Sequence, residues 1–156
     1  MIQGTDEKEP MKMNSTEIAQ RCADSMFARD KASRELGITV EIVGAGSATA
    51  RMAVSDCMIN GLGVCHGGYI FTLADSAFAF ACNGYDRVTF AASATIEFVL
   101  SARLGDSLVA EARERFRGKR VGIYDVAVHN QDGQLVALFR GRSKTTEAPV
   151  ISGYRD

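Results

Sequence analysis

Residues 67–82, "GGYIFTLADSAFAFAC", are apolar on nearly every face of a 3.6-residue turn, with Asp75 as the one charged side chain among them. A helix of that kind has no polar face to offer water, so the rest of the chain must enclose it. At 156 residues the chain is one domain by length, and 46% hydrophobic residues supply one sizeable core around such a helix.

What encloses it is legible on both sides. Downstream of the "NGYDR" turn come four strand-like runs, "VTFAASATIEFVL", "DSLVAEARERFR", "RVGIYDVAVHN" and "QLVALFRGRSKTTE", joined by turns at "SARLG", "GK" and "QDG". Upstream, "ITVEIV" and "SATARMAV" alternate apolar and polar residues around "GAG", the pattern of a hairpin. Before these, Asn14 followed by Glu17 makes a capping box, and Ile18, Cys22 and Met26 recur every fourth position, which predicts an amphipathic helix from about Ser15 that ends by Gly37. Strands in runs with segregated helices give an α+β architecture, an antiparallel sheet curled around the apolar helix. The expected organisation is a disordered tail over residues 1–13, a single domain over 14–146 and a C-terminal tail over 147–156.

Charge and cysteine usage narrow the function classes. Eighteen basic and nineteen acidic residues leave a formal charge of -1, which provides no general attraction to nucleic acid or an anionic membrane. Cys22, Cys57, Cys65 and Cys82 are spaced as neither a zinc or redox pair nor a disulfide framework, so reduced thiols and no metal site are expected. No apolar run reaches membrane-spanning length without a charge or glycine, and "MIQGTDEKEPMKMN" lacks the apolar stretch of a signal peptide, which gives a cytoplasmic reading.

The chemistry concentrates in "NGLGVCHGGYIFTLAD", residues 60–75. Gly67 and Gly68 at a helix start let a ligand come close to first-turn amides that have no intrahelical acceptor, and such amides suit a developing oxyanion. A tight loop accounts for the same two glycines. Asp75, inside an apolar helix, has a partner such as Thr72 or Ser76, faces a wet groove, or acts as a base or nucleophile, because desolvation favours its neutral form. Gly67 and Asp75 are eight residues apart, roughly 12 Å along a helix, so one carbonyl cannot touch both. Two copies with these helices antiparallel would bring the start of one to the Asp of the other, giving two composite sites per homodimer. His66 beside Cys65 permits a triad reading, but adjacent side chains diverge and no nucleophile elbow is present, so a loop histidine that shapes the turn is the simpler reading.

The segments "NGLGVCHGGYIFTLADSAFAFACN", "ASATIEFVLSARLGDSLVAEA" and "GKRVGIYDVAVHNQDGQLVALFRGRS" resemble the hotdog-fold thioesterases of the phenylacetate-degradation type, a similarity running from about Asn14 to Lys144. The resemblance implies a curved antiparallel sheet around one long helix, a homodimer with a continuous sheet that pairs into a homotetramer, and cofactor-free hydrolysis of acyl-CoA, with phenylacetyl or hydroxyphenylacetyl as the acyl group. It matches Asp75 to the catalytic carboxylate, Gly67 to the residue whose amide polarises the thioester carbonyl, and Asn60 to an asparagine that orients water or substrate. Some relatives have a water-positioning serine where this chain has Ala91; Ser93, two residues on and on the same face by strand alternation, is the candidate substitute. His66 and Gly68 fall beside the substrate, and the CoA phosphates would be held by "RFRGKR", with Arg117 and Lys119, or by the last strand, with Arg142. Tyr69, Phe71, Phe80 and Phe90 are candidates for the acyl pocket. The competing readings are a hotdog domain that binds acyl-CoA without cleaving it, an enoyl-CoA hydratase, and a structural homodimer without a ligand.

Overall fold

The computed structural model describes residues 13–153. The tail expected over 1–13 lies outside the described residues except for Met13, whose sulfur accepts from an Arg21 Nη1 at 3.1 Å. Helix α1 (Ser15–Phe27) opens with the capping box in place: Asn14 Oδ1 accepts from the Glu17 amide at 2.9 Å, and a Glu17 carboxylate oxygen accepts from the Asn14 amide at 2.8 Å. The single helix expected to reach Gly37 is instead two. Asp30 caps a second start by accepting from the Ser33 amide at 2.9 Å, and α2 (Lys31–Glu35) ends just before Gly37 at φ +66°. A capping carboxylate competes with helix continuation for the backbone and so turns the chain there.

Six strands follow the expected runs closely: β1 (Thr39–Gly44), β2 (Ser47–Ala53), β3 (Thr89–Phe98), β4 (Ser107–Arg117), β5 (Val121–His129) and β6 (Leu135–Thr145). They form one antiparallel sheet in the order β1-β2-β4-β5-β6-β3, so β1 and β3 are its edges. Helix α3 spans Gly67–Cys82, the full apolar run, and lies against the inner face of the sheet.

Period-two alternation decides which face is inner. Leu108, Ala110 and Ala112 on β4, Tyr124, Val126 and Val128 on β5, and Phe139 on β6 are buried beneath α3, while Glu111, Arg115 and Arg140 point outward. Leu73 and Phe78, at most 1% exposed, anchor the helix side; each contributes on the order of 1.5–3 kcal/mol by leaving water. Gly141 on β6 permits the fit, because a Cβ there would lie 2.9 Å from two carbons of the Phe78 ring.

The C-terminal tail carries structure in its described part. Residues 150–153 form helix α4 (Val150–Gly153), with Val150 buried against Cys22 of α1 and Val88.

Candidate active site

A small loop sets up the start of α3. Ile59 bridges to Cys65, the Asn60 amide donates to the Val64 carbonyl at 2.8 Å, and Gly63 closes the turn at φ +74°. The Asn60 side-chain oxygen accepts from the Leu62 and Val64 amides at 2.9 and 3.3 Å. Its Nδ2 group has no acceptor among the described residues, so the asparagine shapes the loop with one end and keeps two donors at the other.

His66 is the N-cap of α3. Its Nδ1 accepts from the Gly68 amide at 2.9 Å, which places the ring proton on Nε2 and makes it a capping residue. The loop-shaping reading therefore has a specific bond behind it. Gly68 is consumed by that cap. The neighbouring Gly67 amide has no acceptor among the described residues and sits at the positive end of the α3 dipole. The Phe98 ring covers Gly67 so closely that a Cβ would lie 2.8 Å from its Cζ, a contact between distant segments that no local pattern announces.

Two turns further on is Asp75, half-buried. Both hydroxyls that might have partnered it are engaged elsewhere: Thr72 Oγ1 donates to the Gly68 carbonyl at 2.8 Å, and Ser76 Oγ lies 3.2 Å from Ser33 Oγ on α2. Among the described residues nothing donates to the Asp75 carboxylate. Burial pushes its pKa above the ordinary 3.8. It lines a cavity of roughly 360 Å³ with Met26, Phe78, Val88, Phe90, Ala91 and Val150, among others. His66 and Gly68 line a different hollow, together with Tyr69 and Thr72. A single chain thus keeps the amide and the carboxylate in separate places, as the eight-residue spacing requires.

The remaining candidates divide. Ser93 does not share a face with Ala91: a bulge between them pairs Ala91 with the inward Ser143 and Ser93 with the outward Arg142. One extra residue reverses the alternation, which puts Ala91 in the Asp75 cavity and Ser93 on the opposite face of the sheet. Arg117 and Lys119 line a hollow of roughly 280 Å³ at the end of α3; the Arg117 guanidinium lies 3.9 Å from the Tyr85 ring centroid. Arg142 is on the outer face and so does not join them. Of the four aromatic candidates for the acyl pocket, Phe90 lines the Asp75 cavity, Phe80 is buried in the core and Phe71 packs edge-on against Phe139, while Tyr69 stands by His66. Met26 and Val150 reach the cavity from the two ends of the chain, and no local signal in the sequence marks either.

Known proteins resemble this chain in sequence and fold. A family model described as the thioesterase superfamily matches residues 62–137. The acyl-coenzyme A thioesterase PaaI of Escherichia coli is 42% identical over 121 residues, covering 78% of this chain and 86% of the relative. The chain belongs to the thioesterase superfamily. A solved structure of the E. coli PaaI protein from the phenylacetic acid degradation operon superposes with a TM-score of 0.85 at 38% identity, covering 87% of this chain and 99% of that one. A protein of Streptococcus mutans solved with acetyl CoA matches at a TM-score of 0.68 and 28% identity, over 76% of this chain and 91% of that one. This superfamily member therefore has the hotdog fold, α+β, with α3 as the helix its curved sheet wraps. Among the described residues no helix is long and apolar enough to cross a membrane.

Proposed function

We propose that this chain hydrolyses acyl-CoA thioesters, with phenylacetyl-CoA or hydroxyphenylacetyl-CoA as substrate, as a homodimer whose sites combine α3 of both subunits and which pairs into a tetramer. The observation that carries the reading is a half-buried Asp75 without a partner among the described residues, on an otherwise apolar helix whose first amide, Gly67 N–H, is likewise unclaimed among them. The E. coli relative, named for acyl-CoA thioester cleavage and taken from a phenylacetic acid operon, supports the substrate class.

In this mechanism the thioester carbonyl oxygen accepts from the Gly67 amide, aided by the α3 dipole, which stabilises charge as it develops on oxygen. Asp75 of the partner subunit takes a proton from water as the water oxygen bonds to the carbonyl carbon. The tetrahedral intermediate collapses, the C–S bond breaks with its electron pair on sulfur, and the carboxyl proton passes to the CoA thiolate or to solvent. Direct attack by the carboxylate would give a mixed anhydride that water then cleaves. Burial serves either route, since a carboxylate with a raised pKa is a stronger base. Asn60 Nδ2 is a donor free to orient water or the carbonyl. Arg117 and Lys119 on one face and Arg142 on the other are candidate partners for the CoA phosphates.

Subunit mixing tests the composite site. Asp75→Asn and Gly67→Val should each abolish thiol release from phenylacetyl-CoA. Dimers re-formed from an equal mixture should regain about a quarter of wild-type activity, because half are heterodimers and each of these has one intact site of two. A mixture no more active than its parents would exclude a site shared between subunits, and an active Asp75→Asn would exclude both routes.

A further inference from the structure

We infer that the end wall of the Asp75 cavity is built by the C-terminal segment, and that Val150 on α4, with Met26 on α1, sets the size of acyl group admitted. The inference rests on reading this cavity as the acyl pocket. Its lining joins Asp75 and the exposed Phe90 on the edge strand β3 to the apolar Met26, Phe78, Val88 and Val150 and to the polar Arg29, Asp30, Asn83 and Thr89. About 360 Å³ is at the small end of ligand pockets, enough for an acyl group but not for the whole CoA ester. The surface of the cavity is mostly apolar, so the pocket suits an aryl or short alkyl group in preference to a charged one.

The wall is fixed at several points. Asp86, in the left-handed region at φ +53°, uses one carboxylate oxygen to accept from both the Val150 and Ile151 amides at 2.9 Å. The Val88 amide donates to the Ala148 carbonyl at 2.8 Å, and the Thr146 amide donates back to the Val88 carbonyl at 2.9 Å. Arg87 Nη1 donates to the Glu147 carbonyl at 2.8 Å. Val150, Cys22 and Val88 then form a small core of their own, with Met26 packed on it. The segment after β6 is therefore clasped along its length to residues 86–88, and Val150 is 3% exposed although α4 has only four residues. A side chain held this way cannot retreat from an oversized ligand. Hydrophobic pockets discriminate by one methylene about tenfold or more when their walls do not move.

The test measures both turnover and affinity on a series of CoA esters: acetyl, butyryl, hexanoyl, octanoyl and phenylacetyl. Val150→Ala should raise kcat/KM for octanoyl-CoA relative to butyryl-CoA at least about tenfold, and Val150→Phe should lower phenylacetyl and octanoyl turnover by a similar factor while sparing acetyl-CoA. Thermal melts establish that each variant is folded, and Met26→Ala, which opens the same wall from α1, should repeat the shift of Val150→Ala. Calorimetric affinities for the series, taken with Asp75→Asn and with Asp75→Asn/Val150→Ala, keep the wall testable apart from catalysis. If wild type cleaves none of the esters, the thioesterase reading fails, yet the two affinity series still decide the wall. Equal fold-changes across all esters, in affinity and in turnover, would overturn it.

Discussion

Gly67 and Gly141 are both closely covered by phenylalanine, and alanine at the two positions should have opposite effects. At Gly141 a Cβ would meet two Phe78 ring carbons at 2.9 Å and a Phe139 carbon at 3.0 Å. Both rings are at most 2% exposed and packed on each other at 5.8 Å between centroids, so neither has anywhere to go. Forcing a methyl into such a site costs about 1–3 kcal/mol, and at about 2–4 °C per kcal/mol for a domain of this size Gly141→Ala should melt about 2–12 °C lower. At Gly67 the Cβ would lie 2.8 Å from Phe98 Cζ, but that ring is 54% exposed and can swing into solvent. Alanine also gains on glycine in the first helical turn, by about 0.5–1 kcal/mol at most, so Gly67→Ala should melt no lower than wild type and at most about 4 °C higher. Its amide is retained, yet the Phe98 ring must move aside for the methyl and so disturbs the cover over the α3 N-terminus, and kcat/KM for phenylacetyl-CoA should fall at least about tenfold, or about 1.4 kcal/mol of transition-state stabilisation. Calorimetric melting, thiol-release kinetics and sedimentation on the same preparations give the comparison. A Gly67→Ala protein that melts as low as Gly141→Ala, or that keeps full activity, would refute the assignment of one glycine to packing and the other to the carbonyl.

Three further outcomes follow from the site. Because burial raises the Asp75 carboxyl above 3.8, the unfolded chain ionises first as pH rises, and stability falls between the ordinary and the raised value. Asp75→Asn should therefore be inactive but more stable than wild type at neutral pH, with the gain vanishing in denaturation curves near pH 3; a less stable variant at pH 7 would contradict the burial argument. His66→Ala should lose the cap, about 0.5–2 kcal/mol, and with it kcat/KM, while His66→Asn, whose amide oxygen can accept the same bond, should recover to within about threefold. Asparagine cannot move a proton, so a His66→Asn protein no better than His66→Ala would make the ring a catalytic base after all. Cys57 is exposed, whereas Cys22, Cys65 and Cys82 are buried, with the Cys82 thiol pushed up to about 12. One thiol per chain should react quickly with a disulfide reagent and none in Cys57→Ser, which is the background to use in thiol-release assays; three fast thiols would show an open core.

How far the sequence could be read depends on how local each signal is. The range of α3 and the six strands were legible because period 3.6 and period 2 are written into adjacent residues, and the enclosed helix follows from having no polar face. The break at Asp30 was missed because an aspartate inside an amphipathic pattern is an ordinary exposed residue until its carboxylate turns back to the Ser33 amide. The face of Ser93 was misjudged for a sharper reason. Alternation counts residues, and the bulge between Ala91 and Ser93 adds one that is visible only against the partner strand β6.

The site shows the same division, and the division bears on how such a chain can be changed. Asp75 and Gly67 were legible because a charge in an apolar helix and a glycine pair at its start are anomalies within one segment. Met26, Phe98 and Val150 were not, because each is an unremarkable apolar residue whose role exists only through contact with a segment far away in the chain. The legible residues are those the proposed chemistry needs; the illegible ones pack on Gly67 and line the pocket. A cavity with an apolar end wall can be resized by one side chain without disturbing the helix that carries the acid, since Val150 is held by Asp86 and α1 rather than by α3. Substitution at Met26 or Val150 should thus redirect acyl choice while leaving the Asp75 and Gly67 machinery in place. A Val150→Ala protein with an altered acyl range and an unchanged acid limb of its pH profile is the combination that this separation requires.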